Sequence, residues 1–528
     1  MPRAGCLIMV RVSGSSPTTV TTSRPVDEPA DRQGWRWRWA IPVLVAVVAL
    51  AVRLSAVLRG GGLYGYFGYD DGVYFAAAAS LLAGRLPYQD FILLHPPGIV
   101  LALVPFAELG RLTTDRDAMA VARVVWLLVG ALNAGLVARL AGVLGPPAAL
   151  VSGLFAATWY HSAYGERVPL LEPLGNLALI TALLLVVPRP RRLPERYAEV
   201  LAGVALGLGT CVKIWGVVPL GVVAVALLVT RGWRAAGRLA AGAAAVGLLV
   251  FGPFLVAAPK AMIRMLVLAQ GGRESNGYAI WEKPTFFLGV PQYLGRDNIA
   301  AIVVVTVLAG AVLAAATVLA LRIPLARLWV ALLAVHTLML LVSPVFFAHY
   351  AEFLTVPLAL VLGAGAAGWF GTQAARAPRG LGRAVPVGIG VILLSMGVGT
   401  ATQSFGVRYP GDKLAAFVPA QGCVRADDPG ALIQLNVLTR DLGRGCEIPV
   451  DFTGVTYYRP VHRADGSTVP RGKNAQWQRR ARSYLTSGAA TVLVRRTGNA
   501  FNTTTREQLA ALPVLGRVGP WKILGPPR

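Results

Sequence analysis

The residue types best suited to chemistry are two adjacent carboxylates, Asp70 and Asp71, in the run Tyr69-Asp70-Asp71-Gly72-Val73-Tyr74. Paired acids can share a divalent cation such as Mg or Mn. Alternatively, one can raise the pKa of the other so that it works as a base. A bare Asp-Asp is also a common feature of solvated loops, so its weight depends on its setting. It is followed by Ala83-Gly84-Arg85-Leu86-Pro87-Tyr88-Gln89-Asp90-Phe91 and then His95-Pro96-Pro97-Gly98. Pro96 and Pro97 suit the first turn of a helix. His95 is placed to meet a phosphate or a metal, or simply to start that helix at a water boundary.

Other ionisable groups recur at comparable places. Glu166 and Arg167 precede Glu172, Lys213 sits in Thr210-Cys211-Val212-Lys213-Ile214-Trp215, and His349, Tyr350 and Glu352 form a third group. Each one alone can snorkel or pair, as Glu166 can with Arg167. Gathered at one depth of a membrane they are costly and therefore point to function.

The elements that must position them are membrane helices. Of 528 residues, 55% are hydrophobic and 14% charged, with a mean hydropathy of +0.59; a soluble chain carries about 25% charged residues. Segments 239–258 and 299–321 hold no charge over a bilayer's thickness, about 20 residues of helix, and 41–58 is broken only by Arg53. Spans are expected at 39–58, 118–138, 147–164, 172–188, 198–212, 214–230, 239–258, 299–321, 328–346, 353–370 and 385–402, about eleven in all. Arginines 189, 191, 192 and 196, then 231, 234 and 238, then 322 and 327, then 376, 379 and 383 fall in alternate loops. The positive-inside rule puts these loops in the cytoplasm. Segment 97–110 is therefore an amphipathic or re-entrant helix at the outer surface, because a further span would reverse every later loop.

The predicted organisation is a disordered cytoplasmic tail (1–35), a transmembrane domain (36–402) with outer loops 59–117 and 259–298, and an extracytoplasmic domain (403–528). In that last domain, apolar runs 431–435 and 490–494 alternate with expected helices 476–485 and 505–512, which predicts a small α/β unit. Cys423 and Cys446 lie there, where oxidising conditions allow a disulfide. Cys6 and Cys211 look incidental, and no Cys/His spacing resembles a zinc site. The net charge of +25 is explained without nucleic acid. Much of it is topology signal, and the outer domain's basic residues, Arg471, Lys473, Arg479, Arg480, Arg482, Arg495 and Arg496 among them, suit anionic membrane lipid headgroups, a lipid phosphate, an acidic glycan or simple solvation.

At these residues the sequence resembles the GT-C superfamily of membrane glycosyltransferases, especially the branch of protein O-mannosyltransferases and aminoarabinose transferases (family 39-like). The shared pattern is Asp70, Asp71, Tyr74, a small-residue helix over 76–82, Gly84, Pro87-Tyr88 and Pro96-Pro97. Later come Glu172, the Gly-rich segment 203–213 ending in Lys213, and His349-Tyr350. Asp-Asp stands where many members have Asp-Glu, and the C-terminal domain matches no named group. The resemblance implies an all-α polytopic enzyme that moves a sugar from a polyprenyl-phosphate donor to a glycan, lipid or protein hydroxyl, with inversion. Asp70 would be the base and Asp71 would position the acceptor or share a metal. Lys213, Arg167 and His349 would stabilise the leaving phosphate, and Glu172 would bind sugar hydroxyls or orient the base. Tyr74, His95 and Tyr350 would line the substrate site. No Gly-rich nucleotide motif follows a strand, as a lipid-linked donor requires none. A transporter with midplane sites on repeated broken helices, a glycan polymerase or ligase, or a non-catalytic scaffold of envelope assembly built around the outer domain are the rival readings.

Overall fold

The computed structural model describes residues 30–187, 193–271, 278–373, 379–495 and 498–527. The tail before residue 30, with Cys6, and Arg189, Arg191, Arg192, Arg376 and Arg496 lie outside the described residues. Among the described residues, seven helices are long and apolar enough to cross a membrane: Trp37–Arg59, Asp115–Leu144, Ile214–Arg231, Trp233–Ala257, Ile299–Leu321, Ala348–Gly371 and Ala384–Ala401. Pro146–Thr158, Glu172–Val186 and Ala326–Val342 are apolar but shorter. The expected span at 198–212 lies in a helix that opens with Glu195, Arg196 and Glu199, and so differs from the uniformly apolar ones.

The elements around the acidic pair are α1 (Ala30–Arg59), α2 (Asp70–Leu82), α3 (Gly98–Leu112) and α4 (Asp115–Ala141). After them come α5 (Pro146–Thr158), α6 (Tyr160–Gly165), α7 (Glu172–Val186) and α8 (Glu195–Val212). Local sequence explains several boundaries. Thr114 caps α4 by accepting from the Asp117 amide. α5 begins at Pro146 after Gly145, whose φ of 106° suits glycine. α8 packs on Trp233–Ala257 so closely that a Cβ on Gly203 would strike the Leu239 carbonyl, and one on Gly242 the Val200 carbonyl. Small residues allow that approach where no water drives helices together. Segment 97–110 forms α3, which packs beside α2 and α4.

Two buried charges organise the bundle. Arg53, fully buried in α1, binds Glu166 and donates to the carbonyls of Ala49, Ala156 and Ala157. α5 ends at Thr158 and α6 restarts after the extended Trp159, so the last carbonyls of α5 lack helical donors and the guanidinium supplies them. Asn133 donates to the other Glu166 oxygen at 3.1 Å. Glu166 therefore pairs with Arg53, and the expected pairing with its neighbour Arg167 does not form.

The C-terminal region is a small mixed unit around a sheet of order β1-β2-β4-β3: β1 (Val424–Ala426), β2 (Ala490–Val492), β3 (Val514–Val518) and β4 (Trp521–Leu524). β1 and β2 are parallel, with Val424 opposite Ala490, and the other pairs are antiparallel. The expected helices appear as Ala475–Thr486 and Thr503–Ala510. The apolar run 431–435 falls in helix Pro429–Gln434, because Asp428 caps the Gly430 amide and Pro429 fills the first turn. Cys423 and Cys446 are joined in a disulfide with a Cα–Cα distance of 5.8 Å, and Cys211 is buried and free.

Candidate active site

α2 separates the two carboxylates by rotation. Successive helical residues point about 100° apart. Asp70 opens the helix with its side chain 40% exposed. Asp71 is buried and receives Arg123 Nη2 at 2.8 Å. Arg123 Nη1 donates to the carbonyls of Leu63 (2.6 Å) and Gly65 (2.9 Å), and its guanidinium lies 4.6 Å from the Phe67 ring centre. Asp71 thus ties the loop between α1 and α2 to α4. The expectation for Asp71 is that it positions the acceptor or shares a cation with Asp70; one of its oxygens is held by a guanidinium. Among the described residues, no cluster of three or more His, Cys, Asp or Glu side chains could hold a metal. The donor set does not fit a metal bridged by the pair, and the chemistry below uses none.

Asp70 instead faces residues from distant helices. His349 Nε2 lies 3.8 Å from Asp70 Oδ2 and 4.0 Å from Glu172 Oε1. Lys213 Nζ lies 2.5 Å from that same Glu172 oxygen. Asp70, His349, Glu172 and Lys213 therefore form a continuous polar chain from α2, segment Ala348–Leu354, α7 and the end of α8. Lys213 is the extended residue after α8. Its ammonium sits 4.0 Å from the Trp215 ring centre and 4.3 Å from that of Tyr350, a two-sided cation–π cradle. Glu172 Oε2 is buried with no hydrogen-bond partner among the described residues. An orphaned oxygen beside a charged chain is what a ligand hydroxyl would satisfy.

The remaining expected residues sit at the margins. Arg167 donates to the carbonyls of Phe67 (2.9 Å) and Tyr164 and packs over the Tyr164 ring, so it props the loop before Asp70. Tyr74 lies one helical turn after Asp70 on the same face, and its ring meets that of His95 edge-on at 5.5 Å. The structure thus brings together Asp70, Glu172, Lys213, His349 and Tyr350, places Tyr74 and His95 beside them, and uses Asp71 and Arg167 as props.

Sequence reasoning named Glu352 but passed over most of the residues that hold the site. Arg123 carried a signal, a charge inside an expected span. Glu352 is fully buried beside Asn176, whose amide donates to its carboxylate at 3.4 Å. The C-terminal unit covers the start of α2: Tyr66 Oη donates to Asp428 Oδ2 (2.5 Å), Tyr69 Oη to Asp451 Oδ1 (2.8 Å), and Arg495 lies 4.1 Å above the Tyr69 ring. Burial holds the carboxyls of Asp428 and Asp451 above the usual range, and the charge of Asp70 adds to this at Asp451. These partners lie hundreds of residues from α2, so local sequence carries no trace of them.

Beside Lys213 opens a cavity of about 270 Å³ lined by Trp215, Tyr350, Met339, Val342, Val345 and Gln270. One end is apolar and the other touches the cation cradle.

Residues 93–344, just under half of the chain, match the model of glycosyltransferase family 87. No curated protein matches the sequence. In fold, the chain is similar to ArnT from Cupriavidus metallidurans. The crystal structure bound to undecaprenyl phosphate aligns with a TM-score of 0.59 at 18% identity, covering 93% of this chain and 98% of that one. The apo structure aligns at 0.57 and 17%, covering 94% and 98%. The chain thus shares the fold of a multi-pass membrane protein, ArnT, and its residues 93–344 resemble glycosyltransferase family 87.

Proposed function

We propose that the enzyme transfers a sugar from a polyprenyl-phosphate donor to an acceptor hydroxyl at the outer membrane face, with inversion. The observation that carries this is the convergence of Asp70, the one carboxylate of the pair left open, on the His349–Glu172–Lys213 chain beside a partly apolar cavity. The family match supports glycosyl transfer, and the fold shared with a protein that binds undecaprenyl phosphate supports the lipid-linked donor.

In this reading the donor's prenyl chain enters along Met339, Val342 and Val345, and its phosphate reaches Lys213. Asp70 takes the acceptor's proton while the acceptor oxygen attacks the anomeric carbon. The bond from that carbon to the phosphate oxygen breaks, and its electron pair leaves with the phosphate. Lys213 and His349 stabilise the growing charge from a preorganised, water-poor position. Glu172 holds Lys213 in place, and its free oxygen accepts from a sugar hydroxyl. One displacement inverts the anomeric configuration. In the same reading about eleven spans set the N-terminus in the cytoplasm and residues 403–528 outside, as the loop charges require.

The test is transfer of labelled sugar from a panel of polyprenyl-phosphate donors by purified protein in lipid, beside its Asp70→Asn variant. Transfer by the parent and a loss of about 10²–10⁴-fold in the folded variant are expected, the range for a missing general base. Equal transfer by both would remove Asp70 from the reaction.

A further inference from the structure

A second cavity, of about 650 Å³, lies away from Lys213, between the first outer loop and the C-terminal unit. Its size is that of a small-molecule site. Residues 85–92 form one wall and residues 445–459 and 477–484 the others, with Met265 closing a corner. Aromatic side chains face it from both parts: Tyr88 and Phe91 from the loop, Phe452, Trp477 and Tyr484 from the C-terminal unit. Tyr458 stands half-buried at the edge, flanked by the guanidinium groups of Arg264 (5.3 Å) and Arg459 (5.5 Å). Gln89, Asp90, Glu447 and Arg480 are exposed around the rim.

The lining charges are mixed: Arg85, Arg459 and Arg480 oppose Asp90, Glu447 and Asp451, with Arg264 beside Tyr458. A phosphate-rich ligand would meet three carboxylates beside the guanidinium groups. A peptide would gain most from a strand edge, yet neither edge strand, β1 nor β3, lines the cavity. What remains is a neutral ligand rich in hydroxyls. Each hydroxyl both donates and accepts, so it uses carboxylates and guanidinium groups alike. Aromatic faces suit the apolar face of a sugar ring.

The loop wall is held at a cost. Tyr88 has φ of +69°, a left-handed conformation unfavourable for a bulky residue by about 1–3 kcal/mol. Its hydroxyl donates to the His95 carbonyl at 2.8 Å and its amide to the Phe91 carbonyl at 3.0 Å. The turn so made sets Gln89 and Asp90 on the rim. The cavity also borders the reaction centre, because Asp451 lines it and accepts from Tyr69, the residue before Asp70.

We infer that this cavity is the acceptor site, and that the acceptor is a neutral carbohydrate chain whose last sugars rest between Tyr458 and the rim residues. The inference rests on the glycosyl-transfer reading above and names its acceptor class. The C-terminal unit is then part of the substrate site, and the loop at 85–92 selects the acceptor.

The test uses the full chain in lipid nanodiscs on an array of short mannose, arabinose, glucose and galactose oligosaccharides. The best binder is then offered as acceptor with labelled donors. The parent is expected to capture at least one oligosaccharide. Tyr458→Ala, Gln89→Ala and Arg480→Ala should each weaken capture and raise the acceptor KM by about tenfold, with thermal stability unchanged. Tyr458→Phe should bind as the parent, and Asp70→Asn should bind without transferring. Capture without transfer by the parent would sink the reaction proposed above and leave this site standing. No capture, capture insensitive to all three substitutions, or transfer to peptides alone would overturn the site.

Discussion

His349 and Asp70 stand far apart in the chain, yet the imidazole Nε2 lies 3.8 Å from the Asp70 carboxylate and 4.0 Å from that of Glu172. The ring bridges the open carboxylate to the anchored one. Phe347 stacks parallel to it at 5.9 Å and Tyr350 meets it edge-on at 4.8 Å, so its orientation is set by packing. Replacing His349 by Ala should lower kcat by about a hundredfold or more while the protein still folds, as expected for a group that shares proton and charge handling with the base. Single-turnover rates of parent and variant at saturating donor would check it. Equal rates would make the bridge purely structural.

Asp71 and Arg123 behave differently. Asp71→Asn leaves a buried guanidinium uncompensated and should cost about 3–5 kcal/mol of stability. The folded fraction should keep most of its turnover. Replacing both partners by apolar residues should restore much of the stability. Thermal unfolding and turnover per folded molecule measure the two effects separately. A catalytic collapse in well-folded Asp71→Asn protein would return Asp71 to the reaction.

Lys213→Met should abolish transfer and also destabilise the bundle, because Glu172 then loses its cation in a buried place. Adding Glu172→Gln should recover folding and leave transfer lost. Donor binding, followed with polyprenyl phosphate alone, should weaken in both variants. Recovery of transfer in the double variant would show that Lys213 serves only to neutralise Glu172.

A pH effect is expected in the C-terminal unit. Burial raises the Asp427 carboxyl to about 6, even though it accepts from the amides of Val494 and Arg495 and from Asn499. Between the ordinary value of 3.8 and about 6 the folded state binds the proton and the unfolded state does not. Stability from this group is therefore greatest below pH 4, falls as pH rises towards 6, and is level beyond, a loss of about 3 kcal/mol. Asp428 and Asp451, also raised by burial, act in the same direction. Hydrogen exchange in β1 and β2 across pH 4–7 should show this slope in the parent and a shallower one in Asp427→Asn. Parallel slopes would remove Asp427 as the cause.

The sequence by itself determined the class of the molecule. Uncharged apolar blocks longer than a bilayer's thickness have no stable place in water, so the membrane helices were legible from composition and spacing. The Asp70 loop, Glu172, Lys213 and His349-Tyr350 were legible too, because an ionisable group at a helix end stands out against an apolar background. Tertiary structure decided which carboxylate of the pair faces the site. One residue is about 100° of rotation, and α2 is set by Arg123 on Asp71 and by the backbone of Gly430 against Gly72, where a Cβ would collide. It likewise decided that Glu166 meets Arg53, since both neighbours offered a countercharge and only packing chose between them. The cover that Asp428, Asp451 and Arg495 place over Tyr66 and Tyr69 arises from residues that meet only once the chain has folded. Local spacing records periodicity and caps. It does not record which distant surfaces will exclude water together.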